Sequence, residues 1–260
     1  FAYLKIAEGC NHRCAYCAIP GIRGRFRSRP MTDILREAKA LIKSGCRELN
    51  IVAQDPMLYG CDFKDKTRLS DLLWKLDAIK GEFWIRVLYS YPSEITEEFI
   101  DWLNNAKHAV KYVDVPLQHT VAEVLVKMNR KGAVDASRVA AEVLRDAVPG
   151  ITLRTTVMTG FPGETEAEAM DSVSLVEEVG FDALFTFEYS RRPGTPAAEM
   201  ENQIDEEIKQ ARYDELMTMQ HRISLEQNKA RVGTTCRVLV ERKRGNRTHT
   251  RNNSYRNQNS

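Results

Sequence analysis

The chain has 260 residues, 43% of them hydrophobic and 28% charged, with a formal net charge of +2. Those values fit a globular chain long enough to bury a sizeable core. No run of 18 apolar residues exists, so no transmembrane helix is expected, and a disulfide scaffold would be shorter and denser in cysteine. The opening residue, Phe1, leads straight into an apolar run with no basic–apolar–small leader, so a piece of a longer, cytoplasmic protein with no membrane association is expected. The charge is uneven. Residues 242–260 hold six Lys/Arg and no acid, which leaves 32 basic and 36 acidic residues, a net of −4, in the rest. A basic tail can touch nucleic acid or be a solvated, disordered end.

In chain order, short apolar runs predict strands at Ala2–Ile6, Glu48–Ala53, Phe83–Tyr89, Lys111–Val115, Ile151–Met158 and Ala183–Glu188. Between them, helical spacing predicts helices at Met31–Ser44, Leu69–Ala78, Thr96–Asn104, Ala136–Ala147 and Glu166–Val179. Thr165 with Glu168 reads as a capping box for the last of these. Asp205–Ala230 is a long amphipathic helix, and Thr235–Glu241 is strand-like. Six βα repeats predict an α/β fold, with a parallel sheet curled into a partial (β/α)6 barrel. The expected organisation is a core over 1–232, the start of a small β domain over 233–241, and a polar tail without assigned structure over 242–260.

The chemistry starts at Cys10, Cys14 and Cys17, a C-x3-C-x2-C spacing in the polar loop after the first strand. Thiolates favour iron–sulfur clusters and zinc, and both ordinarily take four protein ligands. Three thiolates on a 4Fe–4S cluster leave one iron open. An open iron can chelate S-adenosylmethionine (SAM) and pass it one electron, giving methionine and a 5′-deoxyadenosyl radical. Zinc, with His12 or a distant residue as fourth ligand, is the competing reading, but this is not a usual zinc spacing. Cys46, Cys61 and Cys236 read as ordinary core or surface thiols. Tyr16 either packs near the adenine of SAM or shields the cluster.

The stretch AYLKIAEGCNHRCAYCAIPGIRGRFRSRP (2–30) closely resembles the start of the radical SAM domain of the methylthiotransferases. LNIVAQD (49–55), WIRVLYSYP (84–92), YVDVPLQH (112–119), RTTVMTGFPGET (154–165) and FEYSRRPGTPAAEM (187–200) carry the likeness on, over roughly residues 1–241. IRGRFRSRP, VAQD and LYSYP resemble the branch of the family that modifies a ribosomal protein. A sister branch modifies an adenosine in tRNA. The resemblance implies a barrel of the radical SAM type and methylthiolation of an aspartate β-carbon. It also implies a second, auxiliary 4Fe–4S cluster, held by three cysteines of an N-terminal domain that precedes Phe1 in the family, and a reductant such as flavodoxin or ferredoxin. The family's C-terminal TRAM β-barrel would begin near Gly233, and residues 242–260 do not resemble it.

Other positions follow from strand ends. Gly160, Pro162, Gly163 and Glu164 sit in a strand-to-helix turn that the family places near SAM; a tight turn capped by Thr165 is the alternative. Arg154 is set to meet the SAM carboxylate or to form a structural ion pair. Gln54 and Asp55 end the second strand, where SAM needs donors and acceptors, or form a turn. Gln118 and His119 end the fourth and read as cavity lining near SAM or substrate, or as structural. Arg23, Arg25, Arg27 and Arg29 would share one face of an extended segment, for an acidic substrate, RNA phosphate, ion pairs or solvent. His12, His108, His221 and His249 have no constellation around them. A non-catalytic iron–sulfur or nucleic-acid-binding module is the non-enzymatic alternative, but a binding module needs no open coordination position.

Overall fold

The structure is a computed structural model that describes residues 1–130, 136–244, 247–252 and 257–258. In chain order its first half comprises β1 (Ala2–Lys5), β2 (Ala7–Glu8), α1 (Ile19–Arg23), β3 (Arg27–Ser28), α2 (Met31–Lys43), β4 (Glu48–Val52), α3 (Leu69–Asp77), β5 (Trp84–Val87) and α4 (Glu97–Asn105). There follow β6 (Tyr112–Gln118), α5 (Ala122–Lys127), α6 (Ala136–Ala147), β7 (Thr152–Thr159), α7 (Glu166–Val179), β8 (Ala183–Glu188) and α8 (Glu206–Ala230). The last strands are β9 (Val238–Arg244), β10 (Arg247–Asn252) and β11 (Asn257–Gln258).

All six expected core strands form, and they pair in parallel. One sheet runs β1-β4-β5 and a second runs β6-β7-β8. A single parallel bridge, Ile85 to Ala109, continues β5 toward the start of β6. Among the described residues β8 does not pair with β1, so the barrel is open on that side. The strands are largely buried, as expected where helices cover one side of a parallel sheet. On α3, Leu69, Leu72, Leu73 and Leu76 are all buried, the spacing of a helix face turned to a core. The main core joins these to Leu4, Ile51, Ile85, Val113 and Leu153 from the strands.

The barrel interior carries charge. Arg86 and Glu48, both fully buried, meet at 2.7 Å, and Arg154 pairs with Asp114. The α7 capping box forms as expected: Glu168 N–H donates to Thr165 Oγ1 at 3.3 Å, and Thr165 N–H donates to Glu168 Oε2 at 2.6 Å.

Several local features depart from the sequence pattern. β6 runs on through Pro116 to Gln118, with an irregular register against β7 between Val115 and Gln118. The arginine run is not one extended face, because α1 ends at Arg23 and Gly24 turns the chain before β3. Arg23 lies 3.8 Å from Glu8, and Arg29 2.7 Å from Glu37. The described part of 242–260, expected without structure, lies in strands: β9, β10 and β11 form an antiparallel sheet. Backbone pairing between adjacent antiparallel strands needs no apolar periodicity, so the polar sequence carried no sign of it.

Candidate active site

Because the core strands are parallel, their C-terminal ends open at one end of the barrel. The cysteine loop follows β1 and β2 there. Gly9 begins it at φ +82°, and a Cβ on Gly9 would stand 2.2 Å from the Arg25 carbonyl oxygen. The loop can approach the chain after α1 so closely only with glycine at that point. It is then pinned from several directions. Cys10 N–H donates to Gly24 O at 3.2 Å, and Ala15 N–H to Met128 O at 2.9 Å. Phe26 N–H donates to Asn11 Oδ1 at 3.1 Å, and Asn129 Nδ2 to Arg13 O at 2.7 Å.

The three cysteines stand between two openings. The inner one, about 420 Å³, runs into the barrel mouth and is lined by Cys10, Cys14, Cys17, Tyr16, Gln54 and Gln118. Tyr89, Tyr91, Arg130 and Phe187 complete much of its wall. The outer cleft, about 970 Å³, is lined by the same cysteines with Arg13, Arg25, Phe26 and Pro193. The inner volume is in the range of small-molecule sites. Tyr89 and Gln118 line it at φ of +68° and +73°. Non-glycine residues in that region carry strain of about 1–3 kcal/mol, and such strain clusters at functional sites.

Burial pushes the Cys10 thiol up to about 11, with the Asp55 charge and the other two cysteines adding to it; burial also raises Cys17. Burial raises the Tyr16 hydroxyl as well. Such thiols stay protonated at neutral pH unless a cation takes the place of their protons.

The donor set fits an iron–sulfur cluster. Three cysteines line one mouth, and their soft sulfur donors suit iron–sulfur chemistry. One zinc needs its thiolates gathered around a single centre, whereas a cluster binds each thiolate through a separate iron. Gln54 Oε1 is buried without a hydrogen-bond partner, a polar group left for something bound in the cavity.

The other sequence candidates fall into two groups. Cys10, Cys14, Cys17, Tyr16, Gln54 and Gln118 share the inner cavity, while Asp55, His119, Arg154, Gly160, Pro162, Gly163 and Glu164 do not line it. Asp55 is buried behind it, where Oδ2 meets His12 Nε2 at 2.7 Å and Oδ1 accepts from Met57 N–H at 3.1 Å. His12 stacks on Tyr91 with ring centroids 4.1 Å apart. His119 and Glu164 are buried together, Nε2 to Oε1 at 3.1 Å. His119 Nδ1 accepts from Val121 N–H, so Nε2 carries the proton that goes to Glu164. The other Glu164 oxygen, Oε2, accepts from Gly160 N–H and from Arg212 Nη1, both at 2.7 Å. Gly160 sits against α8: a Cβ there would stand 2.2 Å from Lys209 Cγ. Gly163 N–H donates to Asn202 O at 2.8 Å. Arg154 is engaged with Asp114 and lies over the Phe185 ring at 4.2 Å.

Sequence reasoning missed Tyr91 and Arg130. Arg130 is 4% exposed, with Nη1 3.7 Å from Cys14 Sγ and Nη2 donating to Pro116 O at 2.7 Å. Its only local sign was a basic residue shortly after a helix, which is common.

An open α/β barrel with a three-thiolate site at the C-terminal ends of its strands defines the class: iron–sulfur enzymes whose cluster keeps one iron for an exchangeable ligand. The family model of the Radical SAM superfamily matches residues 4–176, and the chain belongs to that superfamily. Membership implies a 4Fe–4S cluster and SAM. Among curated relatives, the chain is 47% identical over 243 residues to the ribosomal protein uS12 methylthiotransferase RimO of Carboxydothermus hydrogenoformans, covering 94% of this chain and 56% of that protein. It is 49% identical to the protein of the same name from Pelotomaculum thermopropionicum, covering 93% and 54%. The chain thus spans a little over half the length of these relatives. Among solved structures, it resembles the radical SAM methyltransferase TsrM of Kitasatospora setae, at TM-score 0.63 and 22% identity, covering 76% of this chain and 38% of that one. It also resembles coproporphyrinogen III oxidase (HemN) of Escherichia coli, at TM-score 0.60 and 17% identity, covering 85% and 52%. These last two likenesses concern the fold.

Proposed function

We propose that the chain is the radical-generating core of a methylthiotransferase that modifies an aspartate of ribosomal protein uS12. The observation that carries this is identity of 47–49% to relatives bearing that name, over more than nine-tenths of the chain. Cys10, Cys14 and Cys17 would hold the cluster, and with SAM it would supply one-electron radical chemistry able to take hydrogen from an unactivated carbon.

The residues around it bind, orient and shield. Gln54 Oε1 offers a buried acceptor to the SAM ammonium, and Gln118 adds a second polar group at the end of β6. Tyr16, Tyr89, Tyr91 and Phe187 give SAM aromatic walls and keep water from the radical. The His12–Asp55 contact holds the middle of the cysteine loop. The buried set His119, Glu164 and Arg212 fixes the turn after β7, and Arg154 with Asp114 joins the neighbouring strands β7 and β6. The whole reaction also calls for an auxiliary 4Fe–4S cluster, and for an electron donor of the flavodoxin or ferredoxin kind. Among the described residues no helix is long and apolar enough to cross a membrane. The proposed setting is the cytoplasm, where a ribosomal substrate is found.

The test is anaerobic. The chain is reconstituted with iron and sulfide, reduced with dithionite, and given SAM. 5′-Deoxyadenosine is expected from the parent and not from Cys14→Ala. Adding a uS12 peptide that contains the target aspartate is expected to raise its yield. A rise with tRNA and none with the peptide would move the reading to the tRNA-modifying branch. No product from a fully loaded chain would overturn the proposed radical chemistry.

A further inference from the structure

Arg130 is the one cation held in the wall beside the triad under near-complete burial among the described residues lining the inner cavity. It follows α5, 116 residues beyond Cys14. Its guanidinium is fixed on several sides: Nη2 donates to Pro116 O at 2.7 Å, the Tyr91 ring centroid lies 4.3 Å from its central carbon, and Nη1 is 3.5 Å from the Tyr16 hydroxyl. The segment that carries it is tied to the cysteine loop by the bond from Ala15 N–H to Met128 O. Among the described residues no carboxylate lies within ion-pair distance of it. Guanidinium keeps its charge at any ordinary pH, and a buried cation is costly unless a negative group answers it. The group in place to do so is Cys14 Sγ, 3.7 Å from Nη1.

We propose that Arg130 is a positioning residue that raises the reduction potential of the cluster by donating an N–H···S bond to the Cys14 thiolate. The inference rests on the reading of the triad as a cluster site. Hydrogen bonds to ligating sulfurs, and exclusion of solvent around them, are levers that set iron–sulfur potentials. One-electron reduction adds a unit of negative charge at the cluster. A fixed cation at one ligating sulfur favours the form that carries the added charge. Neutral backbone N–H groups, of His12 and Ile19, meet the Cys10 and Cys17 sulfurs, so the charged donor falls on one corner of the triad.

The experiment uses the full chain, reconstituted anaerobically, with Arg130→Met and Arg130→Lys beside it. Iron and sulfide per chain are measured first. The midpoint potential is then followed by the EPR signal of the reduced cluster during a dithionite titration without SAM. The expected result is full cluster loading in all three, a midpoint shifted negative in Arg130→Met, and an intermediate shift in Arg130→Lys. Equal midpoints at equal loading would overturn the proposal. Loss of cluster from both variants would also overturn it, since Arg130 would then act in assembling the site. If the parent itself takes up no cluster, the reading of the triad fails, and this inference with it.

Discussion

At the scale of single residues, the triad is placed by a glycine as much as by the cysteines. Gly9 turns the chain at φ +82° with the Arg25 carbonyl where a side chain would begin. Gly9→Ala must move one of two backbones and adopt a disfavoured φ, a strain of about 1–3 kcal/mol. The expected outcome is a lower Tm and a larger fractional loss of iron after reconstitution, because the strain falls on the loop that carries Cys10. A calorimetric scan and an iron assay on the same preparation check it. An unchanged iron content would mean that the loop finds its geometry without that close approach.

Among the elements, α7 has the clearest local code. Thr165 caps it and Glu168 closes the box, as the sequence predicted. Thr165→Ala is expected to cost about 1 kcal/mol, as typical caps do, read from the urea midpoint at neutral pH. Glu168 adds a pH dependence. Its partial burial pushes its carboxyl up, but hydrogen bonds from Thr165 outweigh this and hold it below the ordinary glutamate value of 4.5. A carboxyl lowered in the folded state stabilises fully above its unfolded pKa. It loses that contribution as pH falls through the lower, folded value. The gap in stability between the parent and Glu168→Gln is therefore expected to be constant near pH 7 and to narrow below about pH 4.5. A gap that widened on acidification would reverse the sign.

Over the whole molecule, segments distant in the chain are tied together by one buried carboxylate. Glu164 joins the end of β6 through His119, the start of its own turn through Gly160, and α8 through Arg212. Removing that carboxylate leaves the largely buried Arg212 with the exposed Glu166 as its one charged partner among the described residues, beside the backbone carbonyl of residue 164. Breaking a buried pair from one side costs about 3–5 kcal/mol, so Glu164→Ala is expected to lower the urea midpoint substantially. A variant that kept its stability and lost only SAM affinity would instead place Glu164 in contact with SAM.

Much of this architecture was legible in the chain. Strand and helix positions depend on apolar spacing and caps within a few residues, and those signals survive in any linear reading. The six strands and the principal helices lie within a few residues of their expected bounds. Cys10, Cys14 and Cys17 likewise stand together for a local reason, because all three sit in one loop. The short β2–β3 pair and the strands β10 and β11 were not legible, since backbone pairing there leaves no pattern in side-chain polarity, whereas the start of β9 falls within the strand-like Thr235–Glu241. By itself, then, the sequence determined the βα order, the clustering of three cysteines in one loop and the kinship those motifs carry. Only the tertiary structure decided that Arg130 and Tyr91 stand beside Cys14 and His12, and that Glu164 faces His119 and Arg212. The reason is physical: such convergence depends on strand register and on packing between residues dozens to more than a hundred positions apart, and no local periodicity encodes it.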